Sequence, residues 1–491
     1  MSLSRPLPPP DVPGADDLPL VVDLDGTLIK TDLLAETASS FLIEQPGRAY
    51  RLFGWLAAGR TTLKARLAED TRVELASLPY NEELLVWLRA EKQRGRRLVL
   101  ATASHHTLAQ GVADHLGLFD EVLGSDGATN LKSQAKCDAL VARYGERGFE
   151  YVGNDWPDVA IWRGAAQAHV VSRSRRLIEA ARRQGNLGRV LDDGRLSPAA
   201  GLLRAMRPHQ WLKNLLVLVP LLAAHHYDSA LGVMQALLAF VVFSLTASSV
   251  YLLNDLVDVG DDRHHARKRR RPFASGQLSL VTGWLAWPLL LAAGAGLALL
   301  GLPPRFIGAL AVYFVLTLAY SFRLKQVPVV DVLSLAALYT LRIVAGAFAV
   351  SVELSFWLLS FSMFVFLSLA FIKRYSELYA ARQAGQSQPL RGRGYIQQDL
   401  ELVSSLGSNA GYIAVLVLAF YIQDAHTARL YAHPTLIWLA CPLMLYWISR
   451  AWLIAHRGQM HDDPIVFAIK DRASWLVGAL LGAVFVLAKV L

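Results

Sequence analysis

The chain contains 491 residues, of which 54% are apolar, and its mean hydropathy is +0.33. This composition argues against a purely soluble protein. Lys and Arg total 49 against 40 Asp and Glu, which gives a net charge of +9. This charge favours binding of anionic ligands or anionic lipid, and we expect no nucleic-acid partner. The two cysteines, Cys137 and Cys441, exclude a disulfide framework and lack metal-ligand spacing, which fits a reducing, cytosol-facing setting.

The N-terminal part of the chain is predicted to be a soluble α/β domain. Residues 1–16 are Pro-rich and lack the apolar segment of a secretory signal, so we expect a disordered tail. Residues 17–190 alternate short apolar runs with amphipathic helical patterns, which is typical of a parallel sheet flanked by helices. The turn-rich residues 191–203 are interpreted as a linker.

A helical insertion at residues 32–87 is predicted to form a cap over the α/β domain. Aromatic residues lie among basic residues in its segment 48–66, a pattern that favours contact with a membrane surface. An ordinary solvated cap helix is the alternative interpretation.

Residues 204–491 are predicted to form an all-α polytopic membrane domain. Nine apolar segments approach the roughly 20 residues that a helix needs to cross a bilayer. They are residues 210–224, 231–253, 281–301, 305–322, 329–350, 356–372, 402–422, 433–455 and 474–490.

The connecting segments predict the orientation of these spans. Most of their Lys and Arg residues follow predicted spans two, four, six and eight. Cytoplasmic loops retain positive charge, so we expect the N-terminal domain and these loops in the cytoplasm of a bacterial-type inner membrane. With nine spans, the C-terminus lies outside.

The first candidate site is the segment VVDLDGTL at residues 21–28. A buried strand that ends in Asp23 and Asp25 places two carboxylates together, so that one can attack phosphorus while the other moves protons. This segment resembles the first motif of the haloacid dehalogenase phosphatase superfamily, and YVGNDWPDVAIW at residues 151–162 resembles its metal motif.

The resemblance implies a Mg²⁺-dependent phosphatase domain. Asp23 would be the nucleophile and Asp25 the general acid/base, with Thr102 and Lys132 as the other catalytic residues. Lys136 is an alternative to Lys132, because both lie in one short helix-like segment. The metal ligands implied are Asp23, Asp25, Asp155 and Asp158.

One position departs from the superfamily pattern. Asn154 stands where the first carboxylate of the metal motif is expected, beside Asp155. An amide weakens a Mg²⁺ site, since hard cations favour charged oxygen ligands, and Asp155 is a candidate to compensate. An inactive phosphatase-like scaffold is therefore an alternative for this domain.

The second candidate site lies after the second predicted span, at residues 251–276. Asn254, Asp255, Asp258 and Asp262 are spaced by one, three and four residues, so they share one face of a helix. Such a face can hold a divalent cation, and the cations that follow suit a magnesium diphosphate. Those cations are Arg263, His265, Lys268 and Arg271.

This aspartate pattern, followed by DRxHxxKRxRPxAxG, resembles the UbiA superfamily of intramembrane prenyltransferases. The resemblance covers roughly residues 202–491, and it implies that the first aspartate motif binds Mg²⁺ and diphosphate. Aromatic prenyltransferases usually show a DxxxD pair in the second motif. Here Asp331 is followed by Leu335, with Arg342 nearly on the same helical face.

These details are most similar to the phosphoribosyltransferase branch of that superfamily, in which a polyprenyl phosphate attacks phosphoribosyl pyrophosphate. The resemblance assigns Asp255, Asp258 and Asp262 to Mg²⁺, and Asp331 to the ribose or a second metal. The candidate substrate-binding residues are Asn254, Arg263, Lys268, Arg271, Lys325, Arg342, Lys373 and Arg374, with Lys213, Asn214, Tyr375 and Glu377 as weaker candidates.

The fusion of two domains favours one function over its alternatives. Phosphoribosyl transfer leaves a 5-phosphate on the lipid-linked sugar, which a phosphatase on the same chain can remove. The sequence therefore predicts a bifunctional enzyme that makes a polyprenyl-phosphate-linked pentose. The alternatives are a prenyltransferase that joins a prenyl diphosphate to an aromatic or quinone-precursor acceptor, and a membrane protein with an inactive phosphatase-like domain.

Overall fold

A computed structural model describes residues 18–125, 131, 133–385, 393–423, 431–460 and 463–490. The predicted tail 1–16 and Lys132 lie outside these residues. The chain forms two compact units. The first unit combines the chain up to Met206 with Tyr251–Trp287, and the second combines Arg207–Val250 with the chain from Pro288 onward.

A six-stranded parallel sheet forms the centre of the first unit, as predicted. Its strands are β1 (Leu20–Val22), β2 (Leu98–His105), β3 (Glu121–Ser125), β4 (Glu150–Gly153), β5 (Gln167–Val171) and β6 (Leu187–Leu191). The strand order is β3-β2-β1-β4-β5-β6, so the direction of winding reverses at β1. The crevice at the carboxyl ends of β1 and its neighbours is where such sheets bind ligands.

Both faces of this sheet are covered, which explains the unbroken apolar runs of its strands. Leu20 and Val22 pack into the core on one face, whereas Val21 packs into the core on the other. Leu98 and Val99 of β2 divide in the same way. The strict alternation of side chains along a strand therefore builds two separate cores from one apolar run.

Nine helices accompany the sheet in this part of the described chain. They are α1 (Leu33–Glu44), α2 (Arg51–Ala57), α3 (Arg60–Asp70), α4 (Glu82–Gln93), α5 (His106–Leu116), α6 (Gln134–Tyr144), α7 (Val159–Gly164), α8 (Arg175–Arg182) and α9 (Pro198–Met206). Helices α1 to α3 lie between β1 and β2 in the segment that is predicted to form the cap, and they are called the cap below. Asp32 begins α1 by accepting hydrogen bonds from the backbone N–H groups of Leu34 and Ala35.

The cap exposes large apolar side chains at α2. Tyr50, Phe53 and Leu56 are exposed, while Trp55 packs against Phe41 of α1 with ring centroids 5.1 Å apart. The predicted contact of this segment with a membrane surface stays a prediction.

Eight helices among the described residues are long and apolar enough to cross a membrane. They correspond to predicted spans two to nine, and they indicate a multi-pass membrane protein. The helices from this point are α10 (Val219–Ala223), α11 (Ala230–Val257), α12 (Val259–His264), α13 (Leu280–Gly301), α14 (Pro304–Phe322), α15 (Val330–Ala349), α16 (Phe356–Gln383), α17 (Leu400–Gln423), α18 (Ala440–His456), α19 (Pro464–Lys470) and α20 (Arg472–Val490).

The first predicted span, residues 210–224, differs from a regular helix. It consists of 3₁₀ turns over Pro208–Leu218 followed by the short helix α10. Pro220 lacks the N–H that a continuous α-helix needs at this point. The 11 residues of 3₁₀ turn rise ~2 Å each and the 5 residues of α10 rise ~1.5 Å each. A straight run of this length would extend about 30 Å. The run packs along α15, where Gly346 lies against the backbone of Val217.

Small residues permit close helix packing in the second unit. A side chain at Gly407 of α17 would collide with Trp452 and Phe371. Ser368 of α16 donates a hydrogen bond of 2.7 Å to the carbonyl of Gly407 and accepts one of 3.1 Å from Trp452. Apolar helices in a membrane associate through such close contacts and interhelical hydrogen bonds.

Candidate functional sites

The acidic pair of the first unit lies in the turn that follows β1. Gly26 holds this turn with φ of +79°, a conformation that disfavours other residues. A side chain at Gly26 would also collide with Asn154 and with the guanidinium of Arg195. Asp23 and Asp25 therefore face the crevice where β1, β2 and β4 end.

Asp23 is buried and both of its carboxylate oxygens have partners. Lys136 Nζ lies 2.7 Å from Oδ1, and the Thr27 hydroxyl donates to Oδ2 at 3.2 Å. Lys136 lies in the first turn of α6, and its Nζ is also 3.0 Å from the Tyr151 hydroxyl. Burial alone would lower the pKa of Lys136, but the charges of Asp23 and Asp158 raise it, so the lysine stays charged.

Asp25 is held by three hydrogen bonds on its two oxygens. The hydroxyls of Thr102 and Ser104 donate to Oδ2 at 3.2 and 2.6 Å, and the backbone N–H of Leu33 donates to Oδ1 at 2.8 Å. Burial, followed by the negative charge of Asp32, raises the pKa of Asp25 to about 7. Such a carboxyl group is suited to both donating and accepting a proton near neutral pH.

The metal motif places Asn154, rather than Asp155, beside the acidic pair. Thr27 Oγ1 donates to Asn154 Oδ1 at 3.1 Å, and the same hydroxyl reaches Asp23. Asp155 is exposed, and its carboxylate accepts the N–H of Trp156 at 2.8 Å. Asp158 is buried and accepts the backbone N–H groups of both Asn154 and Asp155, which fixes this loop.

Sequence reasoning missed several residues that complete this site. Ser104, Thr27 and Tyr151 touch the predicted residues directly. Arg195 lies over the Asp-Gly turn and donates to the carbonyl of Lys30 at 3.1 Å. Arg195 was included in the predicted linker, and no local pattern distinguishes it.

The aspartate loop at residues 254–271 continues the helical path of α11. The backbone N–H of Asp258 bonds the carbonyl of Asn254 at 2.9 Å, and that of Asp262 bonds the carbonyl of Asp258 at 2.8 Å. These bonds keep the i to i−4 pattern across the break between α11 and α12. With 28 residues α11 is about 42 Å long, which exceeds the thickness of the hydrocarbon layer, about 30 Å.

Arg271 joins two of the predicted metal ligands. Its Nη1 lies 3.1 Å from Asp255 Oδ1 and 2.6 Å from Asp262 Oδ2. Asp262 is buried, and among the described residues its Oδ1 has no hydrogen-bond partner, with Lys268 Nζ 3.9 Å away. Burial raises the pKa of Asp262, although Arg271 counteracts this effect.

Arg263, a predicted substrate-binding residue, is engaged elsewhere. Both of its terminal nitrogens contact the carboxylate of Glu36 in helix α1, at 3.1 and 2.6 Å. His265 is exposed and its ring nitrogen accepts the N–H of Arg267 at 3.2 Å.

In the second unit, Asp331 and Arg374 form a fully buried ion pair between α15 and α16. The Tyr395 hydroxyl donates to Asp331 Oδ1 at 2.7 Å, and Arg374 also contacts Glu377 and the Tyr320 hydroxyl. Tyr320 and Tyr395 were not predicted as site residues. The structure thus brings together Asp331 of the second motif and Arg374, which lies within α16.

Other predicted cations of this unit also have protein partners. Arg342 donates to Asn214 Oδ1 at 2.9 Å and to the Tyr313 hydroxyl at 3.0 Å. Lys213 forms an ion pair with Asp463. Burial raises the pKa of Asp463, but the charges of Lys213 and Lys373 outweigh this effect, so that the pKa is lowered.

The remaining predicted positions are less defined by contacts. Lys325 lies half-buried in the 3₁₀ turn Leu324–Gln326. Tyr375 is buried in α16, and its hydroxyl lies 3.0 Å from His456 Nδ1.

No group of three or more His, Cys, Asp or Glu side chains in the described part of the chain is arranged to hold a metal ion. The donors still fit Mg²⁺, which prefers hard oxygen ligands. In the aspartate loop, the unbonded Oδ1 of buried Asp262 is such a donor. In the first site, Asp23 and Asn154 present oxygens to one shared hydroxyl.

Comparison with known proteins separates the chain into two matched regions. The model of the UbiA prenyltransferase family matches residues 215–488, more than half of the chain. The chain belongs to the UbiA prenyltransferase family. The model of haloacid dehalogenase-like hydrolases matches residues 20–158, so this UbiA protein carries a haloacid dehalogenase-like domain at its N-terminus.

Relatives of this UbiA protein cover one or both regions. It is 39% identical to the uncharacterized protein y4nM of Sinorhizobium fredii over 472 residues, which are 96% of this chain and 91% of that protein. It is 34% identical to decaprenyl-phosphate phosphoribosyltransferase of Mycobacterium tuberculosis over 57% of this chain and 90% of that enzyme. A solved UbiA homolog from Archaeoglobus fulgidus bound to GPP and Mg²⁺ is 21% identical over 58% of this chain and 99% of that one, with a TM-score of 0.44.

Proposed function

We propose that this protein transfers the phosphoribosyl group of phosphoribosyl pyrophosphate to a polyprenyl phosphate, and that its N-terminal domain then removes the 5-phosphate. The observation that carries the proposal is the similarity to a phosphoribosyltransferase over 90% of that enzyme, on a chain that also has a phosphatase-type acidic pair. A lipid-linked ribose 5-phosphate is a phosphomonoester, which is the kind of substrate that such a pair hydrolyses.

In the transfer step, a phosphate oxygen of the lipid forms a bond to C1 of the ribose. The bond from C1 to the diphosphate breaks, and its electron pair leaves with the diphosphate. Asp255, Asp258 and Asp262 would hold Mg²⁺, which neutralises charge on the leaving diphosphate. Arg271 and Lys268 add positive charge beside these carboxylates.

The second unit supports phosphoribosyl transfer through its single second-motif carboxylate. Leu335 stands where a second acidic residue is usual in aromatic prenyltransferases, and Asp331 is fixed by Arg374 and Tyr395. A buried carboxylate that is held by two hydrogen-bonding partners is well placed to orient a sugar hydroxyl. Lys213 and Lys373, which share the charge of Asp463, are proposed to contact phosphate groups.

In the phosphatase step, a carboxylate oxygen of Asp23 attacks the phosphorus and the bond to ribose O5 breaks. Asp25 gives its proton to O5, and then takes a proton from the water that attacks the aspartyl phosphate, so inorganic phosphate is released. Lys136 and Thr27 orient Asp23. Asp23 and Asn154 would hold Mg²⁺, which shields the negative charges of phosphate and carboxylate.

The proposed orientation places the N-terminal domain and the aspartate loop in the cytoplasm. Phosphoribosyl pyrophosphate is a highly charged cytosolic molecule, and the basic connecting segments follow the positive-inside pattern. The proposed location is a bacterial-type inner membrane. Seven of the spanning helices among the described residues follow the aspartate loop, so the C-terminus lies outside, and the N-terminal domain lies on the side of the loop if residues 208–223 also cross.

A comparison of two donors in separate reactions tests the proposal. Purified protein in detergent is given Mg²⁺ and labelled polyprenyl phosphate with phosphoribosyl pyrophosphate, or a labelled prenyl diphosphate with an aromatic acceptor. We expect a labelled glycolipid and released diphosphate only in the first reaction. Product in the second reaction alone would favour the prenyltransferase alternative.

A further inference from the structure

Helix α1 of the cap links the phosphatase acid pair to the aspartate loop within one helical turn. The backbone N–H of Leu33, at its first residue, donates to Asp25 Oδ1 at 2.8 Å. Three residues later, Glu36 binds Arg263. Both contacts lie within the first compact unit.

The Glu36–Arg263 pair has the geometry of a rigid connector. Two guanidinium nitrogens meet two carboxylate oxygens, at 3.1 and 2.6 Å, between residues 227 positions apart in the chain. The two side chains are only 4% and 6% exposed. Bidentate pairing fixes both distance and direction, and burial removes the competition of water.

Arg263 also closes the aspartate loop on itself. Its Nε donates to the carbonyl of Ala274 at 3.3 Å, eleven residues further along the chain. Lys268 and Arg271 lie between these two points in the chain. Both contact Asp262, which is the residue directly before Arg263. A displacement of Arg263 would therefore move the carboxylate and the cations that surround it.

A second contact supports the same helix face. Trp284, in the second turn of α13, donates its indole N–H to the Ser39 hydroxyl at 3.0 Å. Glu36 and Ser39 are three residues apart and thus share one face of α1. This face of α1 therefore contacts Arg263 within the loop and Trp284 after it.

We propose that Glu36 is a positioning residue of the transferase, through which the cap of the phosphatase domain holds the aspartate loop in its diphosphate-binding arrangement. The inference goes beyond the proposed function and rests on it only in treating the loop as the diphosphate site. It makes the N-terminal domain a structural part of the transferase, even when its own hydrolysis is blocked.

A neighbouring contact provides a matched control. His264 Nε2 lies 2.7 Å from Glu74 Oε2, also between the loop and the cap region, but these side chains are 48% and 60% exposed. Exposed ion pairs contribute little, whereas removing one partner of a buried pair leaves an uncompensated charge. Glu36→Gln and Glu74→Gln thus make the same chemical change in opposite environments.

The experiment uses the full-length protein in detergent with Mg²⁺. Hydrogen–deuterium exchange of the peptide covering residues 258–276 should become about 10-fold faster or more in Glu36→Gln, and stay unchanged in Glu74→Gln. The KM for phosphoribosyl pyrophosphate should rise about 10-fold in Glu36→Gln with a smaller fall in kcat, because the site forms but is populated less. The exchanged pair Glu36→Arg with Arg263→Glu should lie closer to the wild type in both values than Arg263→Glu alone, since both variants lack the bond from Arg263 Nε to the Ala274 carbonyl.

The outcomes separate the inference from the proposed function. Unchanged exchange and unchanged KM in Glu36→Gln would overturn the inference, as would an exchanged pair that folds but is no closer to the wild type than Arg263→Glu alone. If Glu36→Gln does not fold, recovery in the exchanged pair decides. If the wild-type protein transfers no phosphoribose while exchange still responds to Glu36→Gln, the proposed function fails and the holding of the loop stands.

Discussion

Lys136→Met tests how the nucleophile of the phosphatase domain is held. The substitution keeps most of the side-chain volume but removes an ammonium group that lies 2.7 Å from Asp23 Oδ1, where the side chains are 6% and 10% exposed. An uncompensated buried carboxylate costs about 3–5 kcal/mol, so Asp23 would no longer be held in its attacking position. Loss of one charged stabilising group typically lowers kcat about 10²–10³-fold.

The assay is hydrolysis of p-nitrophenyl phosphate by the full-length protein, with Lys132→Met as the matched control from the same segment. We expect Lys136→Met to lose at least about 10²-fold in kcat and Lys132→Met to stay within about threefold. Lipid transfer by Lys136→Met should remain near the wild-type rate, which shows that the protein is folded. The opposite ranking of the two variants would refute this assignment of the catalytic lysine.

Three further outcomes are expected. Asp258→Asn should lower phosphoribosyl transfer about 10²-fold or more, because one proposed ligand of the diphosphate-bound metal is weakened, and near-normal turnover would contradict that role. Asn154→Asp should lower the Mg²⁺ concentration needed for half-maximal phosphatase activity, since it adds a charged oxygen beside Asp23, whereas a weaker response to Mg²⁺ would exclude position 154 as a ligand. In a background without the native cysteines, a cysteine at Glu353, between α15 and α16, should react with an impermeant maleimide in intact cells. A cysteine at Gln93, the last residue of α4, should react only after permeabilisation, and the reverse pattern would invert the proposed orientation.

The phosphatase-like domain was largely predictable because its signals are local. Short unbroken apolar runs define the strands of the sheet, and the acidic pair follows β1 directly in sequence. The choice between Lys132 and Lys136 was not predictable, because both occupy one short segment. Asp155 was a reasonable candidate by charge, but the turn at Trp156 uses its carboxylate as a cap, and Asn154 reaches Thr27 instead.

The membrane part shows where sequence periodicity stops being informative. Length and hydropathy identify eight spanning helices among the described residues, but they do not predict the 3₁₀ turns over Pro208–Leu218, which pack against α15. The partner of Arg263 is Glu36, and no spacing rule relates residues 227 positions apart. Tyr320 and Tyr395 were missed for the same reason, since they meet Asp331 and Arg374 only through the fold.

The masses of the lipid products test the central claim most directly. Wild-type protein and Asp23→Asn are each incubated with polyprenyl phosphate, phosphoribosyl pyrophosphate and Mg²⁺, and the extracted lipids are measured by mass spectrometry. We predict a pentose-linked polyprenyl phosphate from the wild type, and the same lipid carrying one additional phosphate from Asp23→Asn. Additional phosphate on both products would show an inactive phosphatase domain, and the absence of any pentose-linked lipid from both proteins would contradict phosphoribosyl transfer itself.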